Sequence, residues 1–314
     1  MMVAHRSPDP GVVAAAGDIA VDVPADWPNR THSRPVTVAG RRWHVQVAGA
    51  GPDIVLLHGT GAATHSWRQL LPLVAAQYRV IAVDLPGHGF TSRGEQEALT
   101  LSRVSRGLRD LLKHMDVDPA AIVGHSAAAA IAIEIVSDRR FSETRMLGLS
   151  PALLPYGGSF RPFLVPMTRW AADSSLVTGW VTGKARDVRA VRRVLASTGS
   201  SVDEVQVAWY QKLLRVESHV QAMLSMMGHW DLSGVLDKLD ALGSRALLAY
   251  GQGDLAVPIA QLDVVQKRAP RCNYRILDRR GHLAHEEAPA EALKLVHEAV
   301  GGKEQRRPRC TDMI

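Results

Sequence analysis

The sequence predicts an α/β fold in which a mostly parallel central sheet is flanked by helices and carries an inserted helical lid. Strand-like apolar runs alternate with helical ones between residues 31 and 300, as in α/β sheets. Four of the apolar runs are each followed by a glycine-rich turn, which suits strands buried on both faces of a parallel sheet. These runs begin at Ile54, Val80, Ala121 and Ala246.

The remaining elements follow from local signals. Ala39-Gly40 separates two strand-like runs, so an opening hairpin is expected there. Amphipathic helices are predicted over Thr100–Met115 and Glu291–Val300, with a late strand starting at Tyr274. The predicted organisation is a flexible leader at 1–30, a core at 31–150 and 229–300, a helical lid at 151–228 and a basic tail at 301–314.

Length and composition are those of an ordinary folded chain. The 314 residues include 46% hydrophobic and 22% charged residues, which is close to average globular usage. Two cysteines are too few for a disulfide framework. No run approaches the ~18 apolar residues of a membrane span, and the first thirty residues make a poor signal peptide. We therefore expect a cytoplasmic protein with at most peripheral membrane contact.

The charge and motif content narrow the range of ligands. A formal net charge of +6 favours an acidic partner, an anionic lipid or an anionic substrate, or else is an ordinary basic surface. No zinc-ligand spacing, aromatic RNA-binding motif or long basic run points to nucleic acid. No phosphate-binding G-x-x-x-x-G-K-[ST] loop is present, and His285 and Glu286 match no common metal spacing. Neither a metal nor a cofactor is predicted.

The predicted lid has no strand-then-turn unit and is rich in tryptophan, methionine and arginine. Within Lys184–Ala196, apolar residues recur every three or four positions on one helical face, and arginines share another. The apolar positions are Val188, Val191 and Val194 or Leu195, and the basic ones are Arg186, Arg189 and Arg193. Large apolar side chains of this region either line a broad pocket or form the lid's own core. The pocket candidates are Trp170, Trp180, Met223, Met227 and Trp230.

The strongest local signal for chemistry is Gly124-His125-Ser126-Ala127-Ala128, between a strand and an alanine-rich helix. A nucleophile elbow needs this setting, because the sharp turn projects the serine hydroxyl and small neighbours let the chain fold back. Ala128 stands where glycine is usual, which weakens the motif. Ser126 as an ordinary helix cap is the alternative.

A glycine-flanked loop, His58-Gly59-Thr60-Gly61, follows the Ile54 strand. Such a loop can direct a backbone N–H at a developing oxyanion, while the residue after the nucleophile supplies the second. Thr60 and Ala127 are therefore the predicted oxyanion-hole donors. Taken alone, the loop is also what an ordinary turn after a strand looks like.

Asp254 and His282 complete the pattern. Each follows a predicted strand, and the order serine, aspartate, histidine is that of an α/β-hydrolase triad. Open α/β sheets place ligands beyond the carboxyl ends of their strands, so the four signals agree in position as well as in order. Ser126 is then the nucleophile and His282 its base, while Asp254 orients the imidazole.

These motifs resemble the α/β-hydrolase superfamily over about residues 35 to 300. A closer resemblance is to the magnesium-chelatase accessory proteins of bacteriochlorophyll biosynthesis. It comes from Pro24-Ala-Asp-Trp-Pro-Asn-Arg, Arg42-Trp-His-Val-Gln, His65-Ser-Trp-Arg and Phe160-Arg-Pro-Phe. The resemblance implies a role near magnesium insertion into a porphyrin in a phototrophic bacterium.

Two functions from different classes fit these observations. The first is a serine hydrolase acting on an ester or acyl group, with a tetrapyrrole as one possible ligand. The second is a non-catalytic accessory protein that binds a porphyrin or a magnesium-chelatase subunit. Fold alone does not choose between them, because the choice rests on the site.

Overall fold

The computed structural model describes residues 23–94, 98–154, 170 and 174–301. Most of the predicted leader, and the predicted tail beyond Gly301, lie outside the described residues. Within them, eight strands form one sheet in the order β1-β2-β4-β3-β5-β6-β7-β8. The strands are β1 (Ser33–Val38), β2 (Arg41–Ala48), β3 (Asp53–Leu57), β4 (Arg79–Val83), β5 (Pro119–His125), β6 (Arg145–Leu149), β7 (Ala246–Gly251) and β8 (Asn273–Leu277).

The sheet is parallel from β4 to β8 and antiparallel only where β2 pairs with β1 and β4. The predicted α/β fold with a mostly parallel sheet is confirmed. The opening hairpin is confirmed as well: Ala39 and Gly40 have φ of 49° and 76°. Positive φ at both residues of a two-residue loop matches the right-handed twist of the strands it joins.

Helices cover both faces of the sheet. They are α1 (Leu70–Ala75), α2 (Leu101–His114), α3 (Ala128–Val136), α4 (Ser175–Lys184), α5 (Val188–Ala196), α6 (Glu204–Leu214), α7 (Glu217–His229), α8 (Val235–Leu242), α9 (Ala260–Arg268), α10 (Ala284–Glu287) and α11 (Pro289–Gly301). The helices predicted over Thr100–Met115 and Glu291–Val300 correspond to α2 and α11. None of the described helices is long and apolar enough to cross a membrane.

Two apolar cores lie on opposite sides of the sheet. All five side chains of β3 are buried. Val55 and Leu57 join the core that contains α2, α3 and α8, whereas Ile54 and Leu56 join the core that contains α1 and α11. Successive side chains of a strand point to opposite faces, so a continuous apolar run feeds both cores, as expected for a parallel strand.

Helices α4 to α7 are inserted between β6 and β7, within the segment predicted as the lid. The amphipathic stretch Lys184–Ala196 is not one helix. It is broken because the Asp187 side chain accepts a hydrogen bond from the N–H of Arg189 and so begins α5. Arg186 therefore precedes the helix that carries Arg189.

The exposed fractions of its side chains show which residues form the apolar face of α5. Val191 and Leu195 are buried, whereas Val194 is 59% exposed. Of the two residues that the spacing left open, Leu195 faces the protein. It packs with Tyr210 of α6 and with Leu283, which belongs to the sheet domain.

Candidate active site

Ser126 lies in a sharp turn between β5 and α3. Its φ is 53°, its N–H donates to the carbonyl of Leu149, and its own carbonyl accepts from the N–H of Ala152. A Cβ added to Gly124 would lie 2.5 Å from the carbonyl oxygen of Ala128. Glycine is therefore required at 124, and the atom that it approaches is a backbone oxygen, which alanine and the usual glycine at 128 both carry. This strand, turn and helix have the form of a nucleophile elbow.

The structure brings Ser126, His282 and Asp254 together. His282 Nε2 lies 2.9 Å from Ser126 Oγ, and His282 Nδ1 lies 2.9 Å from Asp254 Oδ2. All three residues are buried, Asp254 with 3% of its surface exposed. Since a carboxylate oxygen only accepts, Nδ1 carries the proton and Nε2 is free to accept from the serine hydroxyl. This is the hydrogen-bond pattern of a serine nucleophile with its base.

The carboxylate of Asp254 is held by its own loop. Its Oδ1 atom accepts from the N–H groups of Ala256 at 2.9 Å and Val257 at 2.7 Å. The second oxygen is left to face the imidazole of His282. The turn after β7 thus fixes the orientation of the carboxylate before any ligand binds.

The loop His58–Gly61 lies beside the serine. A Cβ on Gly59 would be 3.1 Å from the Cβ of Ser126. His58 donates from Nδ1 to the carbonyl of Gly59 at 2.8 Å, and its Nε2 accepts from the N–H of Leu85 at 2.9 Å. The carbonyl of Gly59 and the N–H of Thr60 belong to one planar peptide unit, so His58 sets the direction of this N–H.

The two predicted oxyanion donors remain candidates. Within the described part of the chain, neither the N–H of Thr60 nor that of Ala127 donates to a protein acceptor. Both groups are therefore available to a ligand. Unpaired backbone donors next to a serine are what an oxyanion hole requires.

Asp84, which directly follows β4, anchors the same loop. Its Oδ1 accepts from the N–H of Thr64 at 2.7 Å, and its Oδ2 accepts from His44 Nδ1 at 2.7 Å and from the N–H of Phe90. Burial disfavours its charge, but the interaction with His44 and the backbone hydrogen bond from Phe90 outweigh this and lower the pKa of Asp84. The buried carboxylate thus ties the residues after the glycine loop to β2 and to the loop after β4.

A loop of the insertion supports the turns that carry Asp254 and His282. The carbonyl of Thr198 accepts from the N–H of Leu255 at 3.1 Å and from the N–H of His282 at 3.3 Å. Gly199 has φ of 79°, and a Cβ there would lie 1.9 Å from the carbonyl oxygen of Gly253. The only sign of this support in the sequence is the glycine at position 199.

His125 supports His282 from the other side. Its Nε2 donates to the His282 carbonyl at 2.9 Å, and the two rings pack with centroids 4.8 Å apart. Burial, together with the nearby His285 and His282, lowers the pKa of His125 well below its usual value, so the ring is neutral. His58 and His125 thus each donate to a backbone carbonyl of a loop beside Ser126.

Of the five insertion residues predicted to line a pocket, Met223 lies closest to the site by its contacts. Its Sδ would be 2.9 Å from a Cβ on Gly61. Trp230 packs against the main core and donates to the carbonyl of Leu99 at 2.9 Å, so packing accounts for this side chain. The exposed fractions of the other three are 64% for Trp170, 66% for Trp180 and 55% for Met227. A pocket-lining role for all five residues stays a prediction.

Glu286 is a buried acid that joins α10 of the core to α6 of the insertion. Its two oxygens accept from the Tyr210 hydroxyl, at 2.7 Å, and from the Gln206 amide. Burial raises the pKa of Glu286 to about 8, although both hydrogen bonds lower it.

The described residues contain no group of three or more His, Cys, Asp or Glu side chains able to hold a metal ion.

Replacing Glu286 with Gln is expected to flatten the pH dependence of stability between about pH 5 and 8. In this window the unfolded carboxyl ionises near 4.5 while the folded one keeps its proton. The wild type therefore loses stability as pH rises, by at most about 1.4 kcal/mol per pH unit. Urea unfolding at pH 5, 6.5 and 8 should show that the free energy of unfolding of the variant increases relative to that of the wild type as pH rises. A difference that stays constant with pH would contradict the prediction.

Comparison with known proteins places the chain among the α/β hydrolases. The sequence profile of the family described as "Alpha/beta hydrolase family" matches residues 54–294. The "Magnesium-chelatase 30 kDa subunit" of Rhodobacter capsulatus is 34% identical over 268 residues, which cover 85% of this chain and 93% of that protein.

Solved structures agree on the fold. A serine hydrolase involved in carbazole degradation superposes with a TM-score of 0.68 at 20% identity, over 86% of this chain and 99% of that one. An epoxide hydrolase superposes with a TM-score of 0.70 at 21% identity, over 86% and 98%. The chain therefore belongs to the α/β hydrolase family, in which its relatives include the magnesium-chelatase 30 kDa subunit of Rhodobacter capsulatus.

Proposed function

We propose that this chain is a serine hydrolase that cleaves an ester or a related acyl bond. The observation that carries the proposal is the continuous hydrogen-bonded series Ser126–His282–Asp254, with distances of 2.9 Å at both steps. Serine is a weak nucleophile at neutral pH unless a base takes its proton. The buried imidazole is positioned to do so, and the buried carboxylate stabilises the imidazolium that results.

The reaction would run in two halves. Ser126 Oγ attacks the acyl carbon as His282 Nε2 takes the hydroxyl proton, and the N–H groups of Thr60 and Ala127 stabilise the oxyanion. The leaving group departs with the proton from His282, which leaves an acyl-enzyme. A water molecule, activated by the same imidazole, then hydrolyses this ester and restores the serine.

We further propose that the acyl substrate is a tetrapyrrole ester, and that the protein acts near the magnesium-chelatase step of bacteriochlorophyll biosynthesis. The support is the 34% identity to a protein named as a magnesium-chelatase subunit. A large flat apolar ligand also suits a site bordered by Met223, because the flexible and polarizable thioether adapts to such surfaces. The chain itself contains the proposed nucleophile, base and oxyanion donors of such a reaction.

The test of hydrolase chemistry is the intact mass of the protein after incubation with a fluorophosphonate probe. An activated serine gives one adduct, and peptide mapping should find it on Ser126. Screening would then begin with porphyrin methyl esters, and the free acids, which have no ester bond to cleave, serve as controls. A well-folded wild-type protein that forms no adduct would contradict the proposal.

A second candidate function is that of a non-catalytic accessory protein which binds a magnesium-chelatase subunit. The specific observation is a group of arginines at and before α5, all of them exposed: Arg186, Arg189 and Arg193. Arg192 beside them is paired with Glu204. Such a surface suits an acidic protein partner through charge complementarity.

Reversing the charge of Arg186, Arg189 and Arg193 to Glu is expected to weaken binding to isolated chelatase subunits at least tenfold, if the accessory function holds. The reason is that three attractive charges become repulsive ones at a rim exposed to solvent. Calorimetric titration against each subunit measures the change. The matched control reverses three exposed cations elsewhere, Lys113, Arg139 and Arg140. Equal losses of affinity in both variants would mean a non-specific effect of charge and would contradict a binding role for this surface.

A further inference from the structure

The imidazole of His219, on the inserted helix α7, hydrogen-bonds to the glycine loop. His219 has only 1% of its surface exposed and lies between two backbone groups of the sheet domain. Its Nδ1 atom accepts from the N–H of Gly89 at 3.1 Å. Its Nε2 atom lies 3.0 Å from the carbonyl oxygen of Gly61.

The proton positions on His219 follow from its partners. A backbone N–H can only donate, so Nδ1 must be unprotonated, and a carbonyl can only accept, so Nε2 must carry the proton. Both hydrogen bonds therefore need the neutral ring in one tautomer. Burial lowers the pKa of His219 to about 4, so the ring is neutral at physiological pH.

A second side chain of α7 contacts the same loop. Met223 follows His219 by four residues, so both lie on one face of the helix. Gly61 has φ of 81°, and its missing Cβ leaves the space into which the Met223 thioether fits. The helix thus holds the loop at Gly61, directly after Thr60.

We propose that His219 is a positioning residue for the proposed oxyanion hole and makes its geometry depend on the docked insertion. His58, from the core, fixes the carbonyl before Thr60. His219, from the insertion, fixes the carbonyl of Gly61, the residue after Thr60. With α7 displaced, the Gly61 carbonyl loses its partner and the Thr60 N–H loses one of its two supports. This inference rests on the proposed hydrolase function.

Two amide substitutions separate positioning from packing. The amide nitrogen of Gln reaches about as far as the Nε2 atom of histidine, so His219→Gln keeps a donor for Gly61. The shorter Asn places its oxygen near the Nδ1 position, so His219→Asn keeps the bond from Gly89 and loses the one to Gly61. Both variants bury a similar polar group.

The first readout is ester hydrolysis. Removal of one oxyanion donor costs about 10²–10³ in kcat, so misplacement of the Thr60 N–H by His219→Asn should cost roughly 10–100-fold in kcat with little change in KM. His219→Gln should stay within about threefold of wild type. Equal kcat losses in the two variants, or a change in KM alone, would overturn the inference.

The second readout does not depend on activity. Amide hydrogen exchange of the peptide covering residues 58–64 should be faster in His219→Asn and unchanged in His219→Gln. If the wild-type protein hydrolyses no ester and takes no fluorophosphonate, the proposed function fails, and exchange in the same samples still supports or refutes the tie at Gly61. Wild-type exchange rates in both variants would refute it.

Discussion

Replacing Ser126 with Ala is expected to lower the rate of ester hydrolysis by a factor on the order of 10⁶ and to abolish the fluorophosphonate adduct. The hydroxyl is the atom that His282 Nε2 faces at 2.9 Å. Without it no acyl-enzyme can form, and only the oxyanion donors and substrate binding remain to accelerate attack by water. The intact mass and steady-state rates of wild type and variant provide the measurement.

The fold should survive this change. Serine and alanine both carry a Cβ, so the backbone at φ of 53° is no more strained after the substitution. A matched control is available at the end of the neighbouring strand β6: Ser150 is buried, has φ of 46° and makes no side-chain hydrogen bond. Ser150→Ala should label and turn over like wild type.

Two outcomes would contradict the role of Ser126. One is a variant that keeps its hydrolysis rate. The other is an equal loss in Ser126→Ala and Ser150→Ala, which would reflect damage to this edge of the sheet. Retained labelling in Ser126→Ala would mean that another nucleophile reacts with the probe.

Local signals in the sequence predicted the scaffold and the order of the site. The apolar runs at Ile54, Val80, Ala121 and Ala246 are strands because burial on both faces of a parallel sheet demands continuous apolar sequence. A run of this kind ends at the same edge of the sheet each time. This regularity made it possible to predict that Ser126 would meet residues more than 100 positions later.

Other elements lack such signals. Strand β6 was not predicted, because Arg145-Met-Leu-Gly-Leu is short and contains a glycine in the run itself. The break between α4 and α5 depends on one aspartate that caps a helix within a stretch of helical periodicity. The helical periodicity of a sequence shows which face of a helix is apolar, but it does not show where the helix ends.

Contacts between the insertion and the site were beyond prediction for a different reason. Thr198, His219 and Glu286 act through partners 57 to 158 residues away or through backbone atoms that every residue has. No spacing within the sequence encodes such a pairing. The sequence therefore predicted a helical lid with candidate pocket residues and gave no sign of these contacts.

The described part of the insertion contacts the site at three separate points. Thr198 bonds to the N–H of His282, His219 bonds to the glycine loop, and Glu286 is bonded by Gln206 and Tyr210 of α6. Each contact joins a helix or loop of the insertion to a segment that carries a proposed catalytic group or lies next to one. The insertion therefore helps to hold the glycine loop and the turns that carry Asp254 and His282 in their observed positions.

Replacing Asp254 with Asn is expected to lower kcat by about 10⁴ with little change in KM. The loss follows from the orientation that the turn imposes on the side-chain amide of the Asn residue. Oδ1 of Asp254 accepts from the N–H groups of Ala256 and Val257, and these donors will hold the oxygen of the Asn side chain. Its NH₂ group then faces His282 Nδ1, which must become an acceptor. The proton moves to Nε2, and the ring can no longer accept the proton of Ser126.

The fold should again be retained, because the amide oxygen keeps both backbone hydrogen bonds in the buried turn. Labelling by the fluorophosphonate should slow in parallel with hydrolysis, since both need the same base. The matched control is Asp278→Asn, which removes the same charge from an exposed position four residues before His282. A loss in both variants would indicate that the net charge near the imidazole matters. A loss confined to Asp254→Asn, with normal unfolding, would identify the tautomer of His282 as the property that this carboxylate controls.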